Sequence, residues 1–291
     1  MMINLIRAEW LKLSRRPLSW ILLTIFLVLL VVQVLVQFAL TVGMPVRSGV
    51  VSAQFEEWRR GILFPGIFAT ALSHVNGLGG IFAVIFAAGA IGSEYSWGTL
   101  RTHLARDPAR GRYLLAKLAT IMLALAAATL LAVALASLLG VIVAPLLGAS
   151  VRISSGNLAN LILGVLRALY VLLPYVLLTV YAALLTRSLL GGLAVGLSYI
   201  IVEAGFGALA LLRVLGGVWA LVYNLTIGQN INTLTLMNRH AFGLRPETTA
   251  PLDLSQLPSP LQATLVVAVY STLFLVLSLH LFRTRDIAGP G

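Results

Sequence analysis

The sequence predicts an all-α integral membrane protein. It is expected to have six transmembrane helices, an N-terminal interfacial amphipathic helix and a short cytoplasmic helix between spans 2 and 3. Three observations support this. Of 291 residues, 59% are hydrophobic and only 10% are charged, against roughly 25% charged in soluble domains. So few charges cannot cover a water-soluble globule, and so apolar a chain is not disordered. The apolar residues also fall in continuous runs of about 20, the length that crosses the hydrocarbon as a helix, and not in the short alternating segments of a β-barrel. Finally, the positive residues are unevenly placed along the chain, as the orientation rule for membrane loops requires. Cysteine is absent, which removes disulfides, thiolate metal sites and Cys nucleophiles together.

The elements follow in order. Residues 1–17 form the interfacial helix: Ile3, Ile6, Trp10 and Leu13 make one helical stripe, while Arg7, Glu9, Lys12 and Arg16 lie largely off it, and Pro17 marks the break before the first span. Uncharged gaps locate the spans at 18–40, 67–91, 118–147, 158–186, 189–212 and 261–282. Arg167 interrupts the fourth and Glu203 the fifth, and a tight turn around Arg187 joins these two. Residues 216–257 read as an extracytoplasmic segment. Its part 216–238 carries Asn224, Thr226, Gln229, Asn230, Asn232, Thr233 and Thr235; it is too polar for a seventh span and reads as interfacial or re-entrant helix, covered by protein or water. Trp219 and Tyr223 suit a headgroup boundary.

With the N-terminus inside, cytoplasmic segments hold 12 of the 20 Lys+Arg and outer loops hold seven. Both termini are therefore expected in the cytoplasm. The net charge of +11 is mainly a topology signal. No basic domain with interleaved aromatics exists, so nucleic acid is not an expected partner.

The stretch from Ile91 to Lys117 is the most informative. Ser96, Trp97, Gly98 and Thr99 give a turn or N-cap signal, Leu100 to Ala105 is a short helix-compatible run, and Asp107-Pro108 stops it. The alternative reading is an ordinary positive-inside loop. The string Glu94-x3-Gly98-Thr99-Leu100-Arg101, followed by Pro108-x-Arg110 and Lys117, resembles the cytoplasmic signature of type-2 ABC exporter permeases. The N-terminal Glu9-x-x-Lys12 resembles that family's opening before span 1. The resemblance covers essentially the whole chain, 1–291, as a single transmembrane permease domain. It implies a non-catalytic subunit in a bacterial cytoplasmic membrane, paired with a second permease copy and driven by separate cytosolic ABC ATPases that bind the ATP and Mg. It further implies coupling to those ATPases through Glu94, Gly98, Thr99, Leu100, Arg101, Arg106, Pro108 and Arg110, with Glu94 and Arg101 as polar contacts. The nearest subgroups export peptide antibiotics or confer immunity to them, but no substrate-diagnostic motif is present.

The residues themselves agree that ATP binds elsewhere. Lys12 and Lys117 are the only lysines, and neither follows a glycine, so no Gly-x4-Gly-Lys-Ser/Thr loop exists. Ions inside a bilayer usually face protein and pair, and Arg167 and Glu203 stand at depths about 6 Å apart, so a structural ion pair is expected between them; the alternative has one of them lining a translocation path. Ser73, His74 and Asn76 stand near Gly77, Gly79 and Gly80. His74 and Asn76 are candidates for a polar notch beside such a path, against the alternative of close helix packing through the glycines. His74, His103, His240 and His280 have no ligand spacing, and no metal site is expected. Two other classes compete with the permease reading. An intramembrane enzyme needs paired ionisable groups, yet Glu203 is the lone intramembrane acid. A secondary transporter usually has acids at the midplane and two related halves, and no repeat relates 1–145 to 146–291.

Overall fold

The computed structural model describes residues 2–43, 50–96, 110–208, 216–244 and 257–284. Among these the chain is helical throughout, with no strand. The helices are α1 (Met2–Ser14), α2 (Pro17–Gly43), α3 (Val50–Ile62), α4 (Gly66–Asn76), α5 (Leu78–Ser96) and α6 (Arg110–Leu146). They continue with α7 (Ser155–Thr186), α8 (Leu189–Ala208), α9 (Gly217–Leu225), α10 (Ile227–Ala241) and α11 (Pro260–Thr284).

Five of these, α2, α5, α6, α7 and α11, are long and apolar enough to cross a membrane. Helix α8, the fifth span of the sequence reading, is apolar as well and has 20 residues, but is not among these five. The outer surfaces suit lipid. In α2 only Phe26, Leu30 and Val34 are buried, while Trp20, Ile21, Val28, Val32 and Leu35 are exposed. A helix surface so apolar is stable in hydrocarbon and not in water. The chain is a multi-pass helical membrane protein.

Local chemistry sets the element ends. Pro17 and Pro260 each occupy the first helical position, where the missing N–H costs nothing. Ser154 caps α7 by accepting from the Asn157 N–H (3.2 Å). The turn between α7 and α8 lies where the sequence puts it: Arg187 adopts the left-handed conformation (φ 52°), and the Ser188 N–H returns to the Ala183 carbonyl. Span 2 is not one rod. It divides at Gly77, whose N–H donates to the Ser73 carbonyl (2.8 Å), into α4 and α5. Helix α3, between spans 1 and 2, has no counterpart in the sequence reading; Glu56 with Arg59 and Glu57 with Arg60 form i,i+3 pairs along it.

The core lies where α4, α5, α6 and α7 meet, with α2 and α11 packed against it and α8 on the α5–α7 side. Glycine permits the closest approach. A Cβ at Gly92 would stand 2.3 Å from the Leu189 Cα, so α5 and α8 touch backbone to backbone there. Helix α10, the polar segment, is inside. It packs on α11, α4, α7 and α8 and buries Gln229, Asn230, Thr233 and Asn238. Its start lies beside Glu203 in α8, and Leu244, just beyond its end, reaches Gly61 at the end of α3.

Candidate functional site

The densest polar chemistry lies at the end of the bundle formed by α1, the close of α5 and the start of α6. Helical spacing puts Glu9 and Lys12 on one face of α1, and Tyr113 and Lys117 on one face of α6. Glu94 stands in the last turn of α5. Packing of α1 on α6 brings the five together.

Lys117 is the centre. Its side chain is 2% exposed, and its ammonium lies between two carboxylates that are each 3% exposed. Nζ donates to Glu9 Oε2 (2.9 Å) and to Glu94 Oε1. Lys12 Nζ donates to the other oxygen of Glu9 (2.5 Å) and stands 4.0 Å from Glu94. The Tyr113 hydroxyl donates to Glu94 Oε2 (2.9 Å) and lies 3.4 Å from Glu9 Oε1. Both ammonium groups lie near the Tyr113 ring, at 5.9 and 5.5 Å from its centroid, within cation–π range. The other side of the site is closed by Phe282 of α11, nearly parallel to Tyr113 at 6.3 Å. Two ammonium and two carboxylate groups cancel, so the cluster is neutral as a whole. A buried ion costs several kcal/mol unless so matched. Burial alone would raise the Glu9 carboxyl, but the charges and hydrogen bonds of Lys117 and Lys12 outweigh it and hold Glu9 below the ordinary carboxylate range.

Neighbouring contacts extend the clamp. Arg16, between α1 and α2, donates to Ser93 Oγ (2.8 Å) and to the Gly89 carbonyl (3.3 Å) of α5. Arg110 opens α6, and its guanidinium stands 3.5 Å from the Arg283 carbonyl oxygen of α11. Both residues that bound 97–109, Ser96 and Arg110, thus belong to helices pinned by these contacts. Gly98, Thr99, Leu100, Arg101, Arg106 and Pro108 lie outside the described residues.

Two expectations need correction. Glu94 does not present its carboxylate to a partner. It is 2% exposed and turns inward, because Lys117 and Tyr113 are one helix away and offer charge and a hydroxyl in a dry site. Glu9 and Lys12, expected off the buried face of α1, turn in for the same reason, and it is Ile3 and Trp10 of the apolar stripe that stay exposed, at 78% and 40%. A signal for this was present. Only two positions among 20 basic residues carry lysine, whose compact ammonium suits a closed site better than a guanidinium fork.

The Arg167–Glu203 ion pair is not formed either. Arg167 Nη1 donates to Asn238 Oδ1 (2.5 Å), and the Asn238 amide donates in turn to the Gly164 carbonyl (3.3 Å). Glu203 accepts from the Tyr175 hydroxyl (2.7 Å), the Tyr199 hydroxyl (2.9 Å) and the Gly228 N–H (2.6 Å). Helix α10 stands between the two charges. Gly228 is in its first turn and Asn238 in its last, about 15 Å apart along the axis. The carboxylate therefore meets a backbone N–H at the positive end of the helix dipole, while the guanidinium is held by a side-chain amide oxygen in the last turn. The depth comparison missed this because it treated the polar run as peripheral.

His74 is buried in α4. Its Nε2 donates to the Phe26 carbonyl (3.0 Å), and its Nδ1 meets the Gln33 amide oxygen at 2.8 Å, so it ties α4 to α2. The Asn76 amide is buried, and neither its nitrogen nor its oxygen finds a hydrogen-bond partner among the described residues.

The profile of the DUF2705 family, described as a protein of unknown function, matches residues 26–288. Comparison with curated proteins gives no match.

Three outcomes follow from this geometry. Lys117→Met leaves two buried carboxylates facing each other and is expected to cost about 3–5 kcal/mol; adding Glu94→Gln should recover part of that, as read from unfolding in detergent. The Glu9 contribution is present above its unfolded value near 4.5 and is lost as pH falls through the lower folded value. Melting temperature should therefore decline on acidification below about pH 4.5, and less so in Glu9→Gln. Exchanging the two intramembrane charges, Arg167→Glu with Glu203→Arg, opposes the α10 dipole at both ends; it should melt lower than either single change, whereas a directly paired couple would be restored by the exchange.

Proposed function

We propose that this chain, which belongs to the DUF2705 family, is the membrane-spanning permease subunit of an ATP-driven exporter whose ATPase is a separate cytosolic chain. In this reading α2, the α4–α5 pair, α6, α7, α8 and α11 make six crossings. Helix α8 has 20 residues, about 30 Å of helix, enough for the hydrocarbon. Both termini and the segment 97–109 then face the cytoplasm, and α9–α10 form a re-entrant pair on the opposite side.

The observation that supports this most is the buried Lys117 cluster. The residues carrying the resemblance in sequence, Glu9-x-x-Lys12, Glu94 and Lys117, meet in one neutral knot. That knot holds α1, α5 and α6 together next to both ends of 97–109. A force applied to that segment would reach three helices at once instead of bending one loop. Mechanical coupling needs such stiffness, and a loop that only sets topology does not. In this reading ATP-driven closure of the partner pushes on 97–109, with Arg101 and Arg106 as contacts to it and Glu94 as an internal brace. The α5 and α8 faces, in backbone contact at Gly92 and Leu189, then shift together between inward and outward access. No second reading has a specific observation in its favour. Glu203 is held by two tyrosines and a backbone amide, with no second acid bonded to it among the described residues.

The test is purification of the tagged chain from its native membrane. A P-loop ATPase is expected to co-purify, and Arg101→Ala with Arg106→Ala should cut its recovery at least several-fold while the permease still folds. If no ATPase accompanies the unaltered chain, or if the double change leaves recovery and ATP-dependent transport in proteoliposomes unaltered, the reading is wrong.

A further inference from the structure

A groove of about 250 Å³ opens between α2, α5 and α6 next to the α1–α2 turn. Leu23 and Phe26 of α2 form one wall, Phe82 and Phe86 of α5 another, and Ala124 and Ala128 of α6 the floor. The small alanines create the space, since any longer side chain at those positions would fill it.

The lining excludes a polar occupant. Its three hydroxyls are already committed: Ser14 donates to the Leu11 carbonyl, Ser19 to the Leu13 carbonyl and Thr129 to the Leu125 carbonyl. At the mouth, the Trp20 indole N–H donates to the Ser14 carbonyl (2.7 Å). No hydroxyl in the interior is left to donate to a polar group. An enclosed apolar cavity of about 150 Å³ stays dry and takes up benzene, and an apolar lining of this kind likewise favours an apolar occupant.

The mouth differs from the interior. Trp10 and Trp20, at 40% and 58% exposure, stand there as headgroup-level aromatics do. Arg15 follows the lining residue Ser14, is exposed and forms no ion pair among the described residues. Arg7 is likewise exposed on α1. The groove therefore has a greasy interior and a cationic rim, which matches one amphiphile in both parts. We propose that it is a binding site for an anionic phospholipid, with one acyl chain laid between α2 and α6 and the phosphate held at Arg15. Such a lipid would wedge α2, the least buried of the long helices, against the rest of the bundle. The site does not depend on the transport reading, since it uses neither 97–109 nor a partner chain.

The mouth tryptophans report on it directly. Trp58→Phe, Trp97→Phe and Trp219→Phe leave Trp10 and Trp20 as the only indoles of the five. This protein is placed in phosphatidylcholine bilayers and titrated with phosphatidylglycerol brominated on its acyl chains. Fluorescence should fall along a saturable curve, and brominated phosphatidylcholine at the same dose should give only a shallow linear loss. Arg15→Gln should weaken the half-saturation about fivefold, the worth of one basic group near an anionic headgroup. Ala124→Leu with Ala128→Leu fills the floor and should abolish the saturable part while leaving the melting temperature at or above its starting value. Equal linear quenching by both lipids overturns the proposal, and so does a saturable curve that the groove-filling pair leaves unchanged.

Discussion

A charge placed in a low-dielectric interior must meet its compensation inside the protein, and Lys117 meets that demand most stringently. Its ammonium is nearly sealed from solvent and is tolerable only because Glu9 and Glu94 come to it from two other helices. Neither acid is near Lys117 in sequence. Once the three are together, much else follows. Helix α1 cannot drift from α6, the last turn of α5 is held by Glu94, and the Tyr113 ring stands beside both ammonium groups with Phe282 stacked on it. The geometry of this whole end of the bundle follows from neutralising one ammonium group.

The opposite part of the molecule solves the same problem differently. Arg167 and Glu203 do not compensate each other. Each is matched by an end of α10, through Asn238 at its last turn and the Gly228 N–H at its first. Orphaned backbone groups at a helix terminus need partners, and a buried charge needs a dipole or counter-ion, so at the first turn of α10 the Glu203–Gly228 contact meets both needs. It also explains how so polar a helix sits inside an apolar bundle. Asn160 completes the end by donating to the Ala241 carbonyl (3.1 Å). A direct ion pair would bind two neighbouring helices, while the dipole-mediated arrangement holds three, α7, α8 and α10.

Much of the fold was legible beforehand. Continuous apolar runs placed α2, α6, α7, α8 and α11 within a few residues of their observed ends, apart from the earlier start of α6 at Arg110, and the tight turn at Arg187 was anticipated. Span 2 was located but not its division at Gly77, because hydropathy does not register a backbone break within an apolar run. Helix α3 was missed because its charged, amphipathic composition carries no span signal. For the candidate site the residues were found and their direction was not. Glu94 was read as facing a partner on the strength of the family resemblance; only the proximity of Lys117 turns it inward. Glu9 and Lys12 were placed on the outward side of α1 by periodicity, which weighs apolar burial and ignores the pull of a buried counter-charge.

Sequence by itself determined the class of the molecule, the places where it can cross a membrane and the absence of a P-loop, because these rest on composition, run length and the count of two lysines. They are local or additive properties, and no fold can alter them. Tertiary structure decided the partner of every buried charge. Glu9 and Lys117 are separated by 108 residues, and Arg167 and Asn238 by 71. The energy of each contact depends on the distance and dielectric between them. Neither quantity exists until the helices have packed, and so the charged residues could not by their positions in sequence disclose what they bind.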